Sequence, residues 1–405
     1  MTSKPAALSL SDVLGLGRLA ADGAAGLTGL VEHMHMSILA TPGLAPVAQG
    51  LTGGATRFVY QGVRGAFRLS GKGLGAAAAL LDVQPDDRPV SRGREIALAA
   101  LNGVVGDHLA ETGNPLALKM RFRCDGRPLT LERQALAEAF PDATGKVAVL
   151  LHGLCMSDLQ WTRQNHDHGA ALAHELGYTP VYLSYNSGLH ISVNGRAFAE
   201  AVEALVAEWP AKIEDFVIVG HSMGGLVARS ACLHGEEAGH SWRRSLSKLV
   251  FLGTPHHGAP LERIGNWVDI VVGKTPYAAA FGRFGQIRSA GVTDLRYGAL
   301  LDEDWQGRDR FAREPDPRRP VPLPEGVVCY VIAATTAASP GGLKDRLVGD
   351  GLVPVASALG RHEDPAMDLK FAPDRQWIAC ETGHLDLLSR RDVYERIAGW
   401  VAGQG

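Results

Sequence analysis

Residues 215–235 read DFVIVGHSMGGLVARSACLHG, and this stretch decides how the rest of the chain is understood. Phe216 to Val219 form a short apolar run closed by Gly220, the pattern of a strand buried on both faces. From Met223 onward small and apolar residues recur at helical spacing. Between the two lies Gly220-His221-Ser222-Met223-Gly224, a G-x-S-x-G match. Alone, such a match is common. Between a strand and a helix it describes a sharp turn whose glycines let the backbone close and lift a serine hydroxyl clear of the sheet. The plain alternative is a glycine-rich connection with no chemistry. The helix starting after Ser222 adds the positive end of its dipole beneath the hydroxyl.

The same alternation extends in both directions. KVAVLL (146–151), TPVYLSY (179–185), SKLVFLGTP (247–255), VVCYVIAAT (327–335) and RQWIACET (375–382) read as strands. HDHGAALAHELGY (166–178), NGRAFAEAVEALVAEW (194–209) and RDVYERIAGWVAG (391–403) read as helices. This is an α/β pattern, predicting a mostly parallel sheet covered by helices on both faces. Asp125-Gly126, set between extended runs in 116–130, predicts a hairpin and hence an antiparallel start to the sheet. Residues 1–112 read as an N-terminal helical extension, with apolar stripes at Leu27, Leu30, Val31, Met34 and Ile38 and at Ile96, Ala100, Val104 and Leu109. A main domain over 113–405 follows, interrupted at about 258–324 by a lid-like insertion that ends in a proline-rich segment.

Composition excludes several classes. Apolar residues make up 46% and charged residues 20% of the 405, enough to build a packed interior. The net charge of −3 and the absence of lysine runs leave no footprint for nucleic acid. Five dispersed cysteines, Cys124, Cys155, Cys232, Cys329 and Cys380, form neither a disulfide framework nor a zinc pattern. No secretory signal and no bilayer-length apolar run are read, which predicts a cytoplasmic protein without a transmembrane segment and leaves peripheral membrane contact and oligomeric state open.

A serine hydroxyl needs a base and a carboxylate that orients the base. Asp350, in VGDGLVPVAS after a late strand, and His384, in ETGHLDLLS before the last helix, complete the chain order Ser222, Asp350, His384. Asp345 and Asp386 are rival acids; the first reads as solvated, the second as a cap of the last helix. Two backbone N–H groups must meet the oxyanion, and Met223 and Leu154 are the expected donors, with Cys155 as the alternative to Leu154. Cys155 also has a reading as a thiol nucleophile, but no histidine is placed to serve it, and it is taken as lining. The clusters His166-Asp167-His168 and His256-His257 invite a metal, yet on a helix the first pair points about 200° apart, so no metal and no cofactor is expected. The polar run Tyr185–His190 ends a strand on the same edge, either as substrate contact or as a plain loop.

Taken together, HGL (152–154), GHSMGG (220–225), FLGTPHHG (251–258), GDGLVPVAS (349–357) and TGHLDLL (382–388) resemble the bacterial lipase/esterase branch of the α/β-hydrolase superfamily. The pair GHSMGG and GTPHHG is also similar to deacylases acting on GPI-anchor inositol. The resemblance covers about 115–405 and implies carboxylic ester hydrolysis with Ser222, Asp350 and His384 as triad and Leu154 and Met223 as oxyanion hole. A small-molecule or lipid-like ester is the expected substrate. His152, Gly153, Cys155, His221, His256, His257, Trp267 and Phe281 are its expected lining, with Val268, Ile270, Val271 and Phe284 adding an apolar wall from the insertion. An acyltransferase, a thioesterase, an intracellular polyester depolymerase and a non-catalytic binding protein of the same fold are the alternatives.

Overall fold

The structure, a computed structural model, describes residues 92–260, 288–310, 318–339 and 348–403, together with Leu14, Gly15, Arg18, Pro315 and Asp316. The apolar stripe at Leu27–Ile38 lies outside the described residues, as do Trp267, Val268, Ile270, Val271, Phe281, Phe284 and Asp345.

The strands are β1 (Arg121–Cys124), β2 (Arg127–Pro128), β3 (Lys146–Leu151), β4 (Thr179–Ser184), β5 (Asp215–His221), β6 (Leu246–Leu252), β7 (Val328–Ala334) and β8 (Gln376–Ala379). They form one sheet in the order β2-β1-β4-β3-β5-β6-β7-β8. From β4 to β8 every neighbouring pair is parallel, while β1 runs antiparallel to both β4 and β2. The hairpin forms where expected: Asp125 and Gly126 both take positive φ, 48° and 72°, as a two-residue turn between right-twisted strands requires.

The longer helices are α1 (Arg92–Glu111), α2 (His168–Leu176), α3 (Ile191–Glu208), α4 (Met223–Glu237) and α5 (Arg391–Val401). Helix α2 starts two residues later than its apolar pattern suggested because Asp167 caps it, its carboxylate accepting the Ala170 N–H at 3.0 Å. Helix α3 starts three residues earlier than expected, at Ile191. Along the central strands Ala148, Leu150, Val217, Val219, Val250 and Leu252 share one face, packed with Leu172 of α2 and Val393, Ile397 and Trp400 of α5. Their alternates Val147, Val149, Leu151, Ile218, Leu249 and Phe251 are equally buried, which is why these strands read as continuous apolar runs. Among the described residues no helix is long and apolar enough to cross a membrane.

By internal contacts the chain divides into two units, with His108–Ala117 in the smaller and Arg92–Asp107 together with Leu118 onward in the larger. In the smaller, Asn114 donates to the Gly15 carbonyl at 3.1 Å and accepts the Leu116 N–H at 3.0 Å. The first four turns of α1, Arg92–Asp107, belong to the larger unit. The Gly106 carbonyl accepts from Asn186 at 2.9 Å, the Gly103 carbonyl accepts from Ser289 at 2.6 Å, and the Asn102 side chain accepts the Leu118 N–H at 2.9 Å. Within the stretch read as an insertion, the segment Ala290–Asp294 is helical, and its Gly291 N–H donates to the Gly188 carbonyl at 3.0 Å.

Two glycines make the approach of α1 possible. A Cβ on Gly103 would stand 2.8 Å from both N and Cα of Cys155, and one on Gly106 would stand 2.7 Å from Cγ of Asn186. In an ordinary helix interior Gly→Ala stabilises by about 0.5–1 kcal/mol. Here the sign reverses, because the obstacle at Gly103 is backbone. Gly103→Ala should destabilise the protein by about 1–3 kcal/mol in urea unfolding; a gain in stability would show that α1 does not press on the Cys155 loop.

Candidate active site

Parallel register brings Leu151 of β3 opposite Gly220 of β5, and His221 of β5 opposite Leu252 of β6, so the loops after three strands leave from one edge. Ser222 sits there between β5 and α4 with φ 55° and ψ −124°, a left-handed conformation that costs free energy in any residue with a side chain. Its N–H donates to the Leu252 carbonyl at 2.8 Å, tying the turn to the neighbouring strand. Glycines remove every obstacle. A Cβ on Gly220 would lie 2.6 Å from the Gly225 backbone, and one on Gly224 would lie 2.6 Å from the His152 carbonyl. A Cβ on Gly153 would come within 3.0 Å of the Ser222 Cβ, so the loop after β3 abuts the serine directly. The Ser222 hydroxyl is buried and has no hydrogen-bond partner among the described residues.

Asp350 and His384 meet as their chain order suggested. His384 Nδ1 donates to Asp350 Oδ2 at 2.6 Å, and the His384 backbone N–H donates to the Asp350 carbonyl at 3.0 Å. The other carboxylate oxygen, Oδ1, accepts the N–H groups of Leu352 at 3.0 Å and Val353 at 2.8 Å. Both side chains are buried. Because the carboxylate only accepts, the neutral imidazole carries its proton on Nδ1 and leaves Nε2 basic. A Cβ on Gly253, directly after β6, would stand 3.2 Å from Cε1 and Nδ1 of His384, which puts the imidazole against the strand end that holds Ser222. The rival Asp386 does not cap the last helix. It opens a short 3-10 turn and accepts the Gly383 N–H at 3.1 Å, bracing the residue before His384.

Of the expected oxyanion donors, Met223 is the first residue of α4, so its N–H has no acceptor within the helix. Leu154 is buried, and its N–H has no partner among the described residues. The alternative, Cys155, has φ 59° and spends its N–H on Ser187 Oγ at 3.0 Å. Its thiol is fully buried and pushed up to about 12, far from a reactive thiolate. Ser187 was not singled out in the sequence beyond its place in a polar run. The strand end at Ser184 followed by Asn186-Ser187-Gly188 was the available signal.

The histidines expected to line a substrate are mostly committed elsewhere. His152 Nδ1 donates to the Gly153 carbonyl at 2.8 Å while Nε2 accepts the Tyr185 N–H at 3.3 Å, and the ring stacks on Tyr185 at 4.2 Å. His221 Nε2 donates to the His384 carbonyl at 3.2 Å, so it supports the base rather than facing a ligand. His257 Nε2 donates to the Gly360 carbonyl at 3.0 Å. His256 is buried edge-on against Phe251. The pair His166 and His168 does not point apart: Nε2 of the first lies 2.8 Å from Nδ1 of the second. His166 precedes the Asp167 cap, so the helical angle assumed for it does not apply. Among the described residues no group of three or more His, Cys, Asp or Glu side chains is arranged to hold a metal ion.

A family model described as a PGAP1-like alpha/beta domain matches residues 142–311, from the lead-in to β3 to well past the Ser222 turn. The sheet order and the strand–Ser222–helix turn agree with it. The described fold is of the α/β-hydrolase kind, a mostly parallel sheet with the Ser222 turn at the end of a central strand. No curated protein sequence matches it. Solved structures similar to this chain include a Bacillus licheniformis lipase in mature form, 17% identical, covering 63% of this chain and 91% of that chain with a TM-score of 0.42. A Pyrococcus furiosus esterase is 13% identical over 65% of this chain and 81% of that chain, with a TM-score of 0.37. A Pyrobaculum calidifontis esterase is 13% identical over 80% of this chain and 96% of that chain, with a TM-score of 0.39.

The buried histidines give the fold an acid limit. Burial lowers His152 and His168 to about 4, so each is neutral in the folded protein at neutral pH. The unfolded chain takes up these protons near pH 6.5, before the folded one does. Stability is therefore complete above about pH 6.5 and declines as pH falls toward 4, each histidine contributing on the order of 3 kcal/mol. Urea midpoints should be level from pH 8 to 7 and drop steadily from pH 6.5 to 4.5; a level midpoint down to pH 5 would show that these rings are not held neutral.

Proposed function

We propose that this protein is a hydrolase that cleaves carboxylic esters through an acyl-enzyme formed on Ser222. The observation that carries this reading is the union of a strained, buried Ser222 hydroxyl with a buried His384–Asp350 pair at the adjoining strand end. Ser222 Oγ attacks the ester carbonyl carbon while its proton passes to His384 Nε2. Asp350, fixed by two backbone amides, keeps Nδ1 protonated and stabilises the imidazolium. The N–H groups of Met223 and Leu154 receive the negative carbonyl oxygen, aided by the dipole of α4. As the tetrahedral intermediate collapses, the leaving alkoxide takes the proton from Nε2 and departs as alcohol. Water then enters, gives a proton to Nε2, adds to the acyl carbon, and Ser222 leaves with its proton restored.

Small esters suit this apparatus, and the apolar residues expected in the insertion argue for a hydrophobic acyl group. A fluorophosphonate should add one phosphonyl group to the intact protein, on Ser222. Ser222→Ala should lose the label and all but background turnover on a panel of p-nitrophenyl esters from C2 to C16, with unfolding unchanged within about 0.5 kcal/mol. Label persisting on the alanine variant, or landing on Cys155, would remove this reading.

Asp350→Asn should lower kcat by about 10⁴-fold, since the amide no longer holds the required tautomer. Combining it with His384→Ala should cost far less than the product of the two losses, because the groups act as a unit. Strict multiplication of the two effects would place Asp350 outside the catalytic apparatus.

A further inference from the structure

The loop after β3 closes a four-residue turn, in which the Met156 N–H donates to the Gly153 carbonyl at 3.3 Å. Of its two central residues, Leu154 and Cys155, only Cys155 takes a positive φ, 59°. That is the pattern of a type II turn, whose third residue is ordinarily glycine because a side chain is strained there. Rotating the Leu154–Cys155 peptide by half a turn would give the type I form, in which Cys155 would rest unstrained at a φ of about −90°. Something must hold the peptide as it stands.

Two contacts do. The Cys155 N–H, carried by that same peptide, donates to Ser187 Oγ at 3.0 Å, and both residues are buried. Helix α1 also presses here, since a Cβ on Gly103 would stand 2.8 Å from N and Cα of Cys155. Ser187 is fixed in its turn. Asn186, just before it, donates to the Gly106 carbonyl at 2.9 Å and accepts the Gly188 N–H at 3.0 Å. A Cβ on Gly291 would run into the Ser187 carbonyl oxygen. The opposite end of the turn meets Ser222, whose Cβ would lie 3.0 Å from a Cβ on Gly153. Leu154 is thus held between a residue set against Ser222 and a residue tied to Ser187.

We propose that Ser187 is a positioning residue of the oxyanion hole. Its hydroxyl oxygen keeps the turn Gly153–Met156 in the type II form and so fixes where the Leu154 N–H stands relative to Ser222. This role rests on the ester-cleaving reading of Ser222, and Ser187 acts only through the Cys155 amide. A donor serves the oxyanion only while it stays within hydrogen-bond distance of the point where charge forms. Loosening the turn therefore weakens the transition state more than it weakens binding of the ester.

The test compares wild type, Ser187→Ala and the double variant Ser187→Ala/Cys155→Gly on one p-nitrophenyl ester. Ser187→Ala removes a single oxygen atom and should lower kcat by about 10- to 100-fold, with KM held within about twofold. The Ki of a trifluoromethyl ketone, which forms a tetrahedral adduct on Ser222, should rise by a similar factor. The acid limb of kcat/KM against pH should not move, because the His384–Asp350 pair is untouched. Glycine at position 155 accepts a positive φ without strain, so the double variant should recover most of the lost kcat. Unchanged kcat and Ki in Ser187→Ala, a shifted acid limb, or a loss that Cys155→Gly does not recover would each overturn this role and leave the ester reading standing. A wild type with neither turnover nor phosphonyl label would remove both.

Discussion

Everything at the edge that carries Ser222 depends on how closely α4 can approach the ends of β3 and β5. The helix enters with Gly224 facing the Leu151 and His152 carbonyls and with Gly220 facing Gly225, contacts that leave no volume for a methyl group. That proximity holds Ser222 in a left-handed conformation it would not choose alone. The bond from its N–H to Leu252 and the burial of almost the whole of α4 supply the compensating free energy. Residues on either side are then placed by consequence: Gly153 against the serine, Gly253 against the imidazole.

A second layer of hydrogen bonds holds the groups around Ser222 in place. Asp350 is oriented by two amides on one oxygen and by His384 on the other, so rotation of the carboxylate would break bonds on both sides. Ser187 occupies the Cys155 N–H, leaving the preceding amide of Leu154 as the donor with nothing to hold. Asn186 spans α1 and α3, donating to Gly106 while its carbonyl accepts from Asn194. The loop after β4 is therefore scaffolding for the loop after β3.

The sheet was legible because strands buried on both faces must be continuously apolar, and β3, β5, β6 and β7 are. Asp125-Gly126 announced its hairpin because few residues tolerate positive φ twice in succession. The pairing of Asp350 with His384 was legible from their places after late strands, the glycine-flanked turn at Asp350 and the chain order Ser222, Asp350, His384. The histidine environments were not: His152 and His168 reach partners 33 and 219 residues away, and no local pattern encodes such bonds. Nor was the placement of α1, whose glycines read as interruptions of a helix. Their value lies in what stands opposite them, Cys155 and Asn186, more than 50 positions on.

The hairpin side of the sheet has a property of its own. A bare strand edge offers a row of N–H and carbonyl groups on which another polypeptide can build. Here the outermost strand, β2, is two exposed residues long, and one of them is Pro128, which has no N–H to give. The N–H of Arg127 faces its hairpin partner Cys124 and that of Leu129 is spent on the Phe122 carbonyl at 2.8 Å, so an approaching chain finds no amide there on which to continue a ladder. Strand-by-strand growth stops there, and the protein can be crowded on that flank without recruiting its neighbours into a shared sheet.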